Sequence, residues 1–279
     1  MIYLLLAILS SAAISVFMRI SSQGGSRGLG MFCCNYIACM AMAVFYADFK
    51  IAATGHPEFG KTVVIGVICG ALFLINFLLL RFNIMRSGVV LSSLFMKLGL
   101  LVPIALSITV YGEIPTLLQI VGFAAAISAI VLMNFEKQSG AQKADIPQLL
   151  LLLFLGGCGD AMSKVFERHG AAEQGDMFLF YTFLTAFLIC FAIMTLKKQK
   201  ICKSDLLFGV LIGVPNFFSS KFLLLSLGQL PAVIVYPSFS VGTILTVTAA
   251  GVLLFKERLS ARQTAALAVI LAALAMLNA

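Results

Sequence analysis

Charge is scarce in this chain. Asp, Glu, Lys and Arg make up 11% of its 279 residues, against roughly 25% in a soluble globular domain. Tryptophan is absent. Histidine occurs twice, at His56 and His169. These two lie in polar segments far apart in sequence, so they read as solvated loop residues. The seven cysteines contain no CxxC pair and mostly sit inside apolar runs. That pattern argues against a disulfide framework or a zinc site and for small packing residues. No GxGxxG, GK[ST] or HExxH motif occurs. The reading is therefore not an enzyme, with no cofactor, no metal and no catalytic residue.

What the chain has in place of charge is apolar length. Hydrophobic residues make up 61%, and the mean hydropathy is +1.08. A soluble fold of this size has no interior able to hide so much apolar surface; a bilayer does. A spanning helix needs about 20 mostly apolar residues. Ten such runs are predicted, at 2–20, 29–48, 61–81, 88–110, 115–134, 147–167, 175–196, 205–226, 231–254 and 260–277. The first run lacks a basic leader and continues straight into the polytopic pattern, so it reads as a span and not a removable signal peptide. Runs such as 149–155 are continuous and do not alternate, which excludes barrel strands. The net charge of +8 sits singly in short loops, which fits topology signals and no nucleic-acid partner. The predicted fold class is an all-α polytopic membrane protein.

The chain also repeats itself. YGEIPTLLQ around Glu113 aligns with FKERLSARQ around Glu257 at an offset of 144. Arg19 faces Lys164 and Tyr36 faces Tyr181 at an offset of 145; Asn76 faces Asn216 and Arg81 faces Lys221 at 140. Small shifts in offset are what insertions and deletions leave after a duplication. The halves are predicted as 1–138 and 145–279. Each holds five spans, an odd number, so the copies run in opposite senses: an inverted repeat, a plan frequent among secondary transporters.

With ten spans, five plus five, and a Glu in the turn before the last helix of each half, the chain resembles the drug/metabolite transporter superfamily, in particular its EamA-like ten-helix members. That resemblance implies transport of small metabolites through a cavity lined by the first four helices of each half, with the fifth peripheral. The first helix of each half also looks like that of the four-helix small multidrug resistance proteins. Those carry a coupling Glu eight residues before a basic residue. Here the positions before Arg19 and Lys164 are Ser11 and Gly156, so that carboxylate is missing from both halves. The chain also lacks the tryptophan common in EamA-like first helices. Basic residues concentrate in the loops after odd-numbered spans, which sets both termini outside by the positive-inside rule; the resemblance implies both inside.

Candidate residues follow from the cost of polarity in lipid. Lys97 lies near the middle of the fourth span, roughly 13 Å from the nearer end at 1.5 Å per residue. A charge there costs about 3 kcal/mol on insertion scales, so it is expected to face a cavity or a partner. Asp160, inside the sixth span, is the natural countercharge. It either pairs locally with Lys164 at i+4 or meets Lys97. Asn76 and Asn216 fall mid-span and serve substrate binding or helix bridging. Tyr36, Tyr181 and Tyr236 are candidate cavity walls. Arg19, Lys164, Arg81 and Lys221 sit near helix ends and read first as snorkelling to headgroups. Glu113 and Glu257 read as caps or gating residues at helix N-termini. Pro103, Pro215 and Pro237 loosen their helices.

The leading expectation is a gradient-driven or facilitative carrier of a small polar metabolite, amino-acid-like and anionic or zwitterionic, working by alternating access. Its partners would be that small molecule and the bilayer; a homodimer is a compatible assembly, and the plasma membrane of a bacterium the expected location. Two alternatives stand beside it: a flippase or binding subunit for a lipid-linked head group, and an exporter of amines or quaternary ammonium compounds.

Overall fold

The computed structural model describes residues 1–23, 28–47, 58–87, 89–134, 145–255 and 261–277. Among them no strand occurs. The helices are α1 (Ile2–Gln23), α2 (Leu29–Tyr46), α3 (Phe59–Ser87), α4 (Val89–Leu98), α5 (Leu101–Thr109), α6 (Leu117–Asn134), α7 (Ile146–His169), α8 (Gly175–Leu196), α9 (Lys203–Leu227), α10 (Ala232–Phe255) and α11 (Ala261–Leu277), with a 3-10 turn at Ala172–Gln174. Seven helices are long and apolar enough to cross a membrane, and Phe95–Thr109, Leu117–Leu132 and Thr264–Leu277 are shorter apolar stretches. Each predicted run overlaps helix among the described residues, and the chain is an all-α polytopic membrane protein. Large apolar side chains lie outward along helix faces, Phe45 at 80% and Leu253 at 78% exposure among them. Lipid is the solvent that suits such faces, since a helix satisfies its own backbone there.

Several helix ends carry local signals. Thr116 and Gln119 form a capping box before α6, with Thr116 N donating to Gln119 Oε1 (3.0 Å) and Gln119 N to Thr116 Oγ1 (3.2 Å). Asp205 does the same for α9, its Oδ2 accepting from Cys202 N at 3.0 Å. Gly112 turns the chain between α5 and α6 with φ +67, a left-handed conformation that suits glycine.

One span differs from its prediction. The run 88–110 is not one helix: α4 ends at Leu98 and α5 begins at Leu101. Pro103 supplies the cause, because its ring removes an N–H and crowds the carbonyl four residues back, that of Gly99. The bonds through the break reach back three residues: Gly99 N to Met96 O (3.2 Å), Leu100 N to Lys97 O (3.5 Å) and Val102 N to Gly99 O (3.0 Å).

The chain forms two compact units, each drawing on both sequence halves. Unit 1 is Met1–Leu74 with Met162–Gln229; unit 2 is Ile75–Ala161 with Leu230–Ala279. The packing units therefore do not coincide with the repeats 1–138 and 145–279, and α3 and α7 contribute to both. In unit 1, α9 packs on α1 and α2, and α2 on α8. Glycines bring these helices close: a Cβ on Gly213 would meet Ala38 Cβ and Asn35 O, each at 2.6 Å. In unit 2, α6 packs on α11, and α10 packs on α5, α6 and α11.

The tightest approach in unit 2 is at Gly156 and Gly157 of α7. A Cβ on Gly157 would run into Gly99 O and sit 2.6 Å from Val102 Cβ; one on Gly156 would sit 2.8 Å from Asn76 Oδ1. Gly157→Ala is accordingly expected to destabilise the detergent-solubilised protein by about 1–3 kcal/mol, the usual penalty of overpacking. Gly60→Ala, where nothing lies within 4 Å of the new Cβ, is expected to stay within about 0.5 kcal/mol of the parent. Thermal midpoints of the two variants measured side by side check the contrast.

Candidate functional site

The α4–α5 break, α3, α7 and α10 bring four of the sequence-predicted residues into unit 2: Asn76, Lys97, Asp160 and Tyr236. Lys97 is in the last turn of α4, two residues before the tight turn at Gly99 and Leu100. Its side chain is half-buried, while Asp160 is exposed within its helix. The Asp160 carboxylate and the Lys97 ammonium act on each other electrostatically. Among the described residues, however, no carboxylate comes within the 4.0 Å of an ion pair with Lys97. The two charges are neighbours without being neutralised by direct contact.

Asp160 follows Gly156 by four residues, so both lie on one face of α7. Asn76 of α3 rests against that face at Gly156. Its Oδ1 is buried and accepts no hydrogen bond, an acceptor of the kind that normally finds a donor. Tyr236 of α10 is buried, and its hydroxyl donates to the Asp160 backbone oxygen at 2.9 Å. Tyr236 thus holds the α7 backbone at Asp160 and does not present its hydroxyl to a cavity. The arrangement offers one cation, one anion and one unmet acceptor close to a helix break.

The other predicted residues lie in unit 1 and have different partners. Asn216 donates to Asn35 Oδ1 at 3.3 Å, a bridge from α9 to α2; Asn35, buried inside an apolar run, carried no sequence signal beyond being polar there. Tyr36 is buried 6.4 Å, centre to centre, from the Phe183 ring. Tyr181 packs against Phe180 and Phe59. Lys164 is 2% exposed and bonds Glu167 at 2.7 Å. Burial with a partner corrects the expectation that it snorkels to headgroups, and its partner is Glu167, not Asp160. Lys221 is likewise held, by Asp176 at 2.8 Å, and lies 4.0 Å from the centre of the Tyr46 ring. Arg19 is exposed near the end of α1. Glu257 and the side chain of Arg81 lie outside the described residues.

Glu113 is a cap, as expected, but of another helix. Its Oε2 accepts from Val233 N at 3.4 Å, in the first turn of α10, while Thr116 and Gln119 serve α6. The sequence misleads here because the helix next along the chain is not the one next in space.

Fold and site together define a class, a polytopic helical membrane protein with an unneutralised charge pair inside its spans. A solved crystal structure matches with a TM-score of 0.77 at 13% identity, covering 99% of this chain and 95% of that one; at that identity the likeness is one of fold. An uncharacterised protein of Haemophilus influenzae is 25% identical over 265 residues, covering 92% of this chain and 90% of its own length. Residues 148–279, a little under half of the chain, match the EamA-like transporter family.

Glu113→Ala removes the carboxylate that holds the first turn of α10. The expected loss is about 0.5–2 kcal/mol, as for other helix caps, read as a lower thermal midpoint in detergent. Glu113→Gln, which keeps an acceptor oxygen, is expected to recover most of it.

Proposed function

We propose that this protein is a secondary transporter, gradient-driven or facilitative, for a small zwitterionic metabolite of amino-acid type, and that the substrate binds at Lys97, Asp160 and Asn76. The observation that carries this reading is the Lys97–Asp160 pair. Opposite charges inside membrane spans are costly unless each is matched, and these two interact without direct contact. A substrate carboxylate on Lys97 and a substrate ammonium on Asp160 supply what each lacks. The buried Asn76 Oδ1 gives the ammonium a second acceptor. Two opposite fixed charges favour a zwitterion over a simple anion, which would leave Asp160 uncompensated.

The α4–α5 break beside Lys97 supports alternating access. Broken helices border the substrate sites of many secondary transporters, because a helix interrupted at two residues bends there at small cost. The repeat in the sequence supports two inverted five-helix halves as the moving parts. Tyr36, Tyr181 and Asn216, packed or bonded within unit 1, are structural in this reading, as are Glu113 and Lys164. The relative in Haemophilus influenzae supports a bacterial origin; the plasma membrane as location and a homodimer as assembly belong to the same proposal. The lipid and amine alternatives are outcomes of the test below.

A thermal-shift screen of purified wild type and Lys97→Ala against amino acids, organic anions, amines and lipid head groups tests the reading. A neutral amino acid is expected to raise the wild-type midpoint and leave Lys97→Ala unmoved; stabilisation of about 2.7 kcal/mol corresponds to ligand at 100 times Kd. A shift with head groups alone, or an amino-acid shift equal in both proteins, would overturn it.

A further inference from the structure

At one end of unit 1, the close of α7, the start of α8 and the close of α9 enclose a cavity of about 380 Å³. Small-molecule sites range over roughly 300–1,000 Å³. Phe166, Leu179 and Leu224 form apolar wall; Glu167, Asp176 and Lys221 form charged wall. None of these residues belongs to the Lys97–Asp160 set, which lies in unit 2.

Hydrogen-bonding capacity decides what fits. An ammonium has three donors and no acceptor. Lys221 Nζ lies 2.8 Å from Asp176 Oδ1 and 2.9 Å from its Oδ2, and its third side faces the Tyr46 ring at 4.0 Å. The second base, Lys164, is 2% exposed and bonded to Glu167. Neither base has a donor turned to an incoming anion. The acids differ: a carboxylate accepts about four hydrogen bonds. Glu167 meets both Lys164 and, at 3.7 Å, Arg168 Nε through its buried Oε2, leaving Oε1, and Glu167 and Asp176 keep 20% and 22% of their side chains exposed. The spare capacity of this wall is acceptor capacity, beside apolar surface. At the repeat offset of 145, Glu167 and Asp176 fall on Ser22 and Met31, so the acids are a feature of the second half alone.

We propose that this cavity is a second binding site, for a primary ammonium on an apolar body. Its N–H groups meet Glu167 and Asp176, and its apolar part covers Phe166, Leu179 and Leu224. A quaternary ammonium of the same shape carries the charge but donates nothing, so it binds more weakly. The site stands on the geometry of unit 1 and is independent of the transport reading.

Calorimetric titration of phenethylammonium and its N,N,N-trimethyl analogue into the full-length protein in detergent tests it. Wild type and Lys97→Ala are expected to bind phenethylammonium alike. The analogue, and Glu167→Gln with phenethylammonium, are expected to bind about tenfold more weakly or worse, the loss of a charge-assisted hydrogen bond. Leu225→Trp, which fills the cavity from a partly exposed position and leaves both ion pairs in place, is expected to abolish binding even if Glu167→Gln folds poorly. No binding by wild type, equal affinity for both compounds, unchanged binding in Leu225→Trp, or loss in Lys97→Ala would each overturn the proposal.

Discussion

Two adjacent glycines on α7 let other backbones come close, and the candidate site depends on that contact. At Gly156 the side chain of Asn76 occupies the place of a Cβ, and at Gly157 the carbonyl of Gly99 does. Small residues are the usual means by which helices approach in lipid, where no hydrophobic force drives them together. Because Gly99 is the point at which the fourth span breaks, the glycine face of α7 receives the break itself. Lys97, two residues earlier, is thereby carried to the helix that bears Asp160. The charge pair is a consequence of the close packing.

A break in a span and a charge in a span are each unfavourable alone. Pro103 leaves backbone carbonyls without their usual partners, and Lys97 brings a charge into an apolar region. Here both defects fall within a few residues, and Tyr236 secures the opposing backbone at Asp160 O. Unit 1 treats its charges in the opposite way: Lys164 and Lys221 each have an acid in direct contact. The two units thus differ: the charges of one are in direct contact, and those of the other are not.

Much of this was legible in the sequence. Apolar run length located the helical runs, because the bilayer sets a length that a polar residue or loop visibly interrupts. Lys97 and Asp160 stood out for the same reason. The break after Lys97 was signalled by Pro103 but not located, since a proline in a membrane helix is compatible with a bend as well as a break. Pairings between distant segments were not legible: Asp176 with Lys221, Asn35 with Asn216, and Glu113 with the start of α10 join residues 45, 181 and 120 apart. The pairing of Lys164 was readable in principle, because Glu167 stands at i+3 and Asp160 at i−4, and both face it. Nor did the repeat announce that the compact units would mix the two halves, because repeats record descent and packing records contact.

The central claim is that Lys97 and Asp160 act on the substrate as a pair. Counterflow of a radiolabelled neutral amino acid in proteoliposomes tests it, using wild type, Lys97→Met, Asp160→Asn and the double variant, each reconstituted to the same level. The account predicts exchange by wild type, loss in either single variant, and no further loss in the double variant, since each charge works only with the other. Wild-type exchange surviving in both single variants would contradict it.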